Sequence, residues 1–247
     1  MLTLHKKVAF VTGGSRGIGA AIAKRLAADG ASVAITYVNG KSAADAVVAA
    51  IQADGGKALA VKADGADTDQ VEKAIARTVS EFGPIDILVN NAGIFPTGLI
   101  GDTADSEFDR AFAVNVRSGF AASRAALKSM PDGGRIIFIG STLALRIHAP
   151  GLSVYSASKG AVTVMAQALA RELGPRRITV NTVHPGSTDT DMNPADGPFA
   201  WAQVDLMSNP VGFAKADEVA NVVGYLASPN ARSVTGAAWT IDNGATV

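Results

Sequence analysis

The chain has 247 residues, 48% of them hydrophobic and 18% charged, with 22 basic and 22 acidic side chains and a formal net charge of zero. This core-rich composition lies outside the range of disordered chains, and balanced charge with no basic stripe argues against a nucleic-acid surface. The absence of cysteine excludes disulfides, thiolate metal sites and cysteine nucleophiles, and is compatible with the reducing cytoplasm expected here.

At the start, Met1–Lys7 precedes only a short apolar run ending in glycines, which is not the order of a signal peptide. No stretch reaches the roughly 18 apolar residues of a membrane helix. Val8–Val11 reads as a buried strand, and Ile18–Ala28, with Ile22 and Leu26 four apart, as a helix. A strand (Ser32–Val38) and helix (Ala43–Ala53) follow, then a second such pair (Ala58–Val61, Val71–Phe82). Ile85–Val89 is the fourth strand, and Phe108–Leu127 a long helical region. Arg135–Ile139 is the fifth strand. Ser153–Leu173 is a helix closed by Gly174-Pro175, Ile178–Val183 the sixth strand and Ala238–Ile241 the seventh. Continuously apolar strands that alternate with helices predict a single α/β domain over residues 1–247. Its fold is a doubly wound, Rossmann-like parallel sheet. The irregular stretch Pro185–Asn209 is long for a connection and reads as a substrate loop or lid.

The first strand runs into Thr12-Gly13-Gly14-Ser15-Arg16-Gly17-Ile18-Gly19. Glycines at a strand–helix junction let the backbone approach a pyrophosphate, and the helix N-terminus offers free N–H groups and partial positive charge. Gly13, Ser15, Arg16, Gly17, Ile18 and Gly19 are therefore candidate cofactor contacts. Sites for NAD place a carboxylate near the end of the second strand to read the ribose. Here Thr36–Ser42 contains none. Arg16, with Lys41 or Ser42 as helpers, fits a 2′-phosphate instead, so NADP(H) is expected over NAD(H).

In a parallel sheet the C-terminal strand ends share one ligand-binding rim. Asp64, Asn90-Asn91-Ala92-Gly93, Ser141-Thr142 and His184-Pro185-Gly186 all fall on it. Tyr155 and Lys159, four apart, lie on one helix face. A lysine ammonium beside the phenol, with an oxidised nicotinamide nearby, lowers its pKa and suits it to move a proton to or from an alcohol oxygen. His5, His148 and His184 are scattered without metal-ligand spacing, so no metal is expected.

Together, T-G-x-x-x-G-x-G at Thr12–Gly19, N-N-A-G at Asn90–Gly93, Asn115, Ser141, Y-x-x-x-K at Tyr155–Lys159 and Pro185-Gly186 make the chain resemble the short-chain dehydrogenase/reductase family over its full length. The resemblance is to carbonyl or 3-oxoacyl reductases. It implies Tyr155 as the general acid/base, and Lys159 as the group that tunes it and holds the nicotinamide ribose. Ser141 would bind the substrate oxygen and Asn115 would hold a water in a proton relay. Asn91, Ala92, Gly93 and Asp64, with Pro185, Gly186 and Thr188, would be cofactor contacts. It also implies a seven-stranded sheet and a homotetramer. Thr142 adjoins Ser141, so the hydroxyl assignment is open by one position. The family's Asp-Gly-Gly appears as Asp242-Asn243-Gly244. Leu143, Leu145, His148 and Leu152 are expected to line the substrate pocket, and Phe199, Trp201, Leu206 and Met207 either form a lid or pack the loop. An NAD-linked alcohol or sugar dehydrogenase and a non-catalytic dinucleotide sensor are the rival readings.

Overall fold

The computed structural model describes residues 3–247; Met1 and Leu2, part of the leading segment read above, lie outside it. Strands β1 (Val8–Val11), β2 (Ser32–Tyr37), β3 (Lys57–Lys62), β4 (Ile87–Asn90), β5 (Arg135–Ile139) and β6 (Thr179–Pro185) are followed by short β7 (Thr188–Asp189), β8 (Ala214–Lys215) and β9 (Ala238–Ile241). A seven-stranded parallel sheet has the order β3-β2-β1-β4-β5-β6-β9, while β7 and β8 pair separately. The helices are α1 (Gly17–Ala28), α2 (Lys41–Ala53), α3 (Thr68–Phe82), α4 (Asp105–Phe112), α5 (Ser118–Ala126), α6 (Ser153–Leu173), α7 (Ala200–Asp205) and α8 (Ala216–Ala227).

The sheet is covered on both faces, so β1, β4, β5 and β6 are buried along their whole length, and side-chain alternation sorts the apolar residues into two cores. Val11, Val33, Ile35, Val89, Ile137, Ile139 and Val183 point to one face, against Ile22 and Leu26 of α1, Val47 and Ile51 of α2, and Val219, Val223 and Leu226 of α8. Phe10, Ala34, Leu88, Ile136, Phe138 and Val180 point to the other, against α3, α5 and α6. The two sets interleave along β5 residue by residue, so a register slip of one would exchange the cores.

Several elements differ from expectation, the short β7 and β8 among them. The helical region predicted from Phe108 begins at Asp105, where Glu107 reaches back to the Ala104 N–H (3.1 Å). It is then interrupted by a π-helical turn at Ala113–Arg117. Helix α8 and the short α7 had no counterpart in the sequence reading. The start of α8 is marked by Glu218, which accepts from the Lys215 N–H at 2.7 Å. Near the C-terminus, Asn243 stands at φ 52°. Asparagine is one of the few non-glycine residues that tolerate this left-handed region, which explains how Asp242-Asn243-Gly244 replaces a glycine pair. Among the described residues no helix is long and apolar enough to cross a membrane, and no cluster of side chains is arranged to hold a metal ion.

Phe138 is 1% exposed and packs under Gly119. Phe138→Ala is expected to lower unfolding free energy by about 3–5 kcal/mol, measured by urea denaturation. Val164→Ala, on the outer face of α6, should change it by less than about 0.5 kcal/mol.

Candidate active site

Sheet growth reverses between β1 and β4, which opens a crevice at their C-terminal ends. Thr12 braces it. Its hydroxyl accepts the N–H groups of both Asn91 and Ala92 at 2.9 Å. The Asn91 side chain donates back to the Thr12 and Gly13 carbonyls at 2.9 and 3.0 Å. Asn91 therefore reaches the crevice chiefly as a strut of the glycine loop. Thr36, at the end of β2, accepts from the Gly13 N–H through its hydroxyl and from the Gly14 N–H through its carbonyl. Gly13 and Gly17 have φ of 66° and 51°, and a Cβ on Gly14 would collide with Ile35.

Helix α1 begins with no side-chain cap and no acidic residue in its first turn. Its first N–H groups, at Gly17, Ile18 and Gly19, have no partner within the helix, an arrangement that suits an anion. Ser15 faces Gly40 beyond the end of β2. Arg16 is exposed and lies 3.5 Å from Asp191, also exposed, a pair of small net value in water. Lys41, considered as its helper, is paired with Asp45 at 2.6 Å. Asp64 closes the rim beyond β3. Its carboxylate takes two guanidinium nitrogens of Arg110, 3.1–3.3 Å away, and the Ala66 N–H at 2.9 Å. Burial alone would raise its pKa, but these bonds outweigh it and hold the group below the usual carboxylate range.

The first turns of α6 bring Tyr155 and Lys159 to one face, with the Lys159 Nζ 5.7 Å from the Tyr155 ring centre. Lys159 is buried and donates to the Ile139 carbonyl at 2.9 Å; burial pushes its pKa down to about 8. Burial also raises the pKa of Tyr155, and the Ser141 side chain pulls it part of the way back. In this structure the phenol is thus held in its protonated form, opposite in direction to the lowering expected beside an oxidised nicotinamide. Ser141 caps a short 3₁₀ turn by accepting from the Leu143 N–H at 3.2 Å. Thr142 instead points its hydroxyl at the Pro185 carbonyl, 3.4 Å away. The hydroxyl at the tyrosine is therefore that of Ser141.

Asn115 lies in the π-helical turn, a feature that recurs at functional sites. Its side chain exchanges hydrogen bonds with the Ile94 backbone at 2.8 and 3.0 Å and donates to the Ser158 hydroxyl at 2.9 Å. This fixes the turn after β4. A Cβ on Gly93 would meet both the Lys159 Nζ (3.3 Å) and the Asn115 Oδ1 (3.4 Å), so only glycine leaves that approach open.

On the far side, Gly186 packs against Asp242, and Thr188 donates its hydroxyl to the Gly186 carbonyl at 3.1 Å. The following loop turns at Thr190–Asn193 and sets Thr190 against Gly17. Of its apolar residues Met207 is buried, whereas Phe199 and Trp201 are each 73% exposed. Leu152 is buried, while Leu145 and His148 are exposed. The sequence reading missed Phe95, whose ring meets Tyr155 edge-on at 4.6 Å. It also missed the bracing by Thr12, Ser158 and Arg110. Thr12 was visible as a polar residue at the end of an apolar strand.

Lys159 carries a prediction about stability. Burial lowers its folded-state pKa from lysine's ordinary 10.5 to about 8, so the cost of burying its charge is complete below pH 8. That cost disappears as pH rises toward 10.5, because the unfolded chain then binds the extra proton. Wild type should gain up to about 3 kcal/mol relative to Lys159→Met over that window, read by urea unfolding at successive pH values.

Residues 13–246 match the family model described as enoyl-(acyl carrier protein) reductase. A short-chain dehydrogenase from Burkholderia cenocepacia J2315, solved in complex with NADP, is 53% identical with a TM-score of 0.98, covering 99% of this chain and 100% of that one. Elsinochrome reductase 1 of Elsinoe fawcettii is 46% identical over 189 residues, 76% of this chain and 71% of the relative. The cyclic-di-GMP-binding biofilm dispersal mediator protein of Escherichia coli K12 is 44% identical over 239 residues, 96% of this chain and 95% of the relative. With the seven-stranded sheet, the glycine loop and the Ser141, Tyr155 and Lys159 constellation in place, these matches show that the chain belongs to the short-chain dehydrogenase/reductase family.

Proposed function

We propose that the chain reduces a ketone, as a simple carbonyl or a 3-oxoacyl compound, to a secondary alcohol with NADPH. The observation that carries this reading is the meeting of Ser141, a buried phenol at Tyr155 and a buried ammonium at Lys159 beside an uncapped, glycine-lined helix terminus. A non-catalytic pocket would need only the last of these.

Bound in the crevice, NADPH would supply the hydride. Its pyrophosphate suits the free N–H groups at the start of α1, with Gly13, Ser15, Gly17, Ile18 and Gly19 around it. Arg16 answers the 2′-phosphate: its pairing with Asp191 is solvent-exposed and yields readily to a doubly charged group. Ala92 and Gly93, with Asn91 behind them, line the crevice, and Asp64 closes its adenine end. Pro185, Gly186 and Thr188 border the nicotinamide end. The Burkholderia relative, solved with NADP, supports the cofactor assignment.

The chemistry follows from the side chains. Ser141 donates to the substrate oxygen and stabilises negative charge as it builds there. Tyr155, kept protonated by burial, gives that oxygen its proton. Lys159 holds the ribose and supplies positive charge next to the phenolate left behind. Asn115 fixes the Gly93–Ile94 turn beside Lys159 and lines the water relay that returns the proton. The segment 185–209 is the lid, anchored by Met207, with Phe199 and Trp201 turned outward to meet an uncharged, apolar substrate. Exposed Phe108 and Phe120, on α4 and α5, and Tyr225 against Trp239 supply two apolar faces for a homotetramer.

One relative favours a second reading, a dinucleotide sensor, since its name records cyclic-di-GMP binding. Tyr155→Phe separates the two. For a reductase it should bind NADPH within about twofold of wild type while turnover of ketones falls by about 10²–10⁴. A wild type that turns over no ketone yet binds cyclic di-GMP would make the sensor reading the correct one. For cofactor choice, Arg16→Ala should weaken NADPH binding by about tenfold and leave NADH binding unchanged, read by fluorescence titration. An equal loss for both would remove Arg16 from phosphate recognition.

A further inference from the structure

At the C-terminal end of β6 the His184 ring is completely buried. Its Nδ1 lies 2.8 Å from the Ser141 carbonyl oxygen and 3.1 Å from the Ser141 N–H. The same ring fills the space over Gly140, where a Cβ would come within 2.5 Å of Nδ1. One residue earlier, the Ile139 carbonyl is held by Lys159 at 2.9 Å. Three consecutive residues, Ile139, Gly140 and Ser141, are therefore gripped from two elements, by Lys159 of α6 and by His184 of β6.

This arrangement leaves a polar atom stranded. The ring Nε2 is buried with no hydrogen-bond partner. If Nδ1 carries the proton it donates to the Ser141 carbonyl and Nε2 is a bare acceptor. In the other tautomer Nδ1 accepts from the Ser141 N–H and the Nε2–H is orphaned. An apolar side chain of similar volume would avoid that penalty, so packing alone does not account for an imidazole here.

We propose that His184 is a positioning residue for the reaction: it fixes the strand end at Ser141 so that the Ser141 hydroxyl stays on Tyr155. The kinetic part of this assignment rests on the reductase reading. The ring acts in its neutral form, since burial and the nearby Lys159 ammonium both oppose its protonation. Lys159, from α6, is the charged group facing both the histidine and the tyrosine. On the β9 side, the residue paired with His184 is the uncharged Thr240.

His184→Leu and His184→Asn test the assignment by opposite trades. Leucine fills the space and removes the stranded Nε2 but leaves the Ser141 N–H without its imidazole partner, so this variant should melt close to wild type. Its kcat should nevertheless fall about tenfold, below the ~100-fold that a misplacement of roughly 1 Å can cost, with NADPH affinity unchanged. Asparagine leaves a void and melts lower, but retains an amide within reach of Ser141, so kcat should stay within about threefold of wild type. A second readout needs no substrate. The chain has 3 tyrosines, and in a Tyr37→Phe/Tyr225→Phe background the phenol absorbance reports Tyr155 alone. Because Ser141 holds the Tyr155 pKa down, loosening it in His184→Leu should move this titration to higher pH, whereas His184→Asn should leave it in place. The proposal is overturned if kcat simply follows melting temperature in both variants, or if Tyr155 titrates identically with leucine at 184. Should the leucine variant not fold, the asparagine variant decides: near-wild-type kcat and titration support the role, and a tenfold loss in folded protein overturns it. A wild type that reduces no ketone, but whose Tyr155 titration moves with residue 184, would remove the reductase reading and leave the positioning role standing.

Discussion

The crevice between β1 and β4 is the constraint from which the rest of the molecule takes its arrangement. Sheet growth reverses there, so two strand ends diverge and the backbone above them is left without neighbours. Thr12 and Asn91 fill that gap with four hydrogen bonds that tie the first strand's exit to the fourth's. With the glycine loop locked, α1 starts at one defined place and angle, and its terminal N–H groups point into the opening. The loop after β4 is locked by the same brace, which puts Gly93 where Lys159 and Asn115 converge. The glycine loop at the start of α1 and the turn beside Lys159 thus share one set of bonds.

Burial sets the electrostatics of the second half. Lys159 has a carbonyl partner and no carboxylate; Tyr155 has a hydroxyl partner and an aromatic edge from Phe95. Both groups are therefore driven toward their uncharged forms, the lysine down and the tyrosine up. An enclosed pair of this kind responds strongly to any new charge, because little solvent is left to screen it. The resting site stores a proton on the phenol, and the arrangement costs folding energy that a methionine at 159 would not, a common tension between activity and stability.

Much of this was legible in the residues themselves. Alternating apolar runs predict the parallel sheet, and the strand-end clusters Asn90–Gly93, Ser141–Thr142 and His184–Gly186 fall on one rim because parallel strands have only one C-terminal side. What stayed hidden depends on tertiary partners. Asn115 was readable as a candidate, but nothing in Ala113–Arg117 announces a π-helical turn, in which the Asn115 side chain bonds to Ile94 and Ser158. Helix α8 carries Val219, Val223 and Leu226 at helical spacing, yet its small, mixed surroundings blur the pattern until α1 is seen opposite. The extent to which burial opposes ionisation of Tyr155 was also out of reach, since it is a property of the assembled site. Asp64 was legible as a residue of the rim; only the fold brings Arg110 to it.

The bare N-terminus of α1 has a consequence for the protein's life outside the reaction. A helix start without a cap leaves folding free energy unclaimed until an anion arrives, and any ligand that binds only the folded form stabilises it by mass action. The chain's resistance to heat and to proteolysis then follows the supply of its nucleotide.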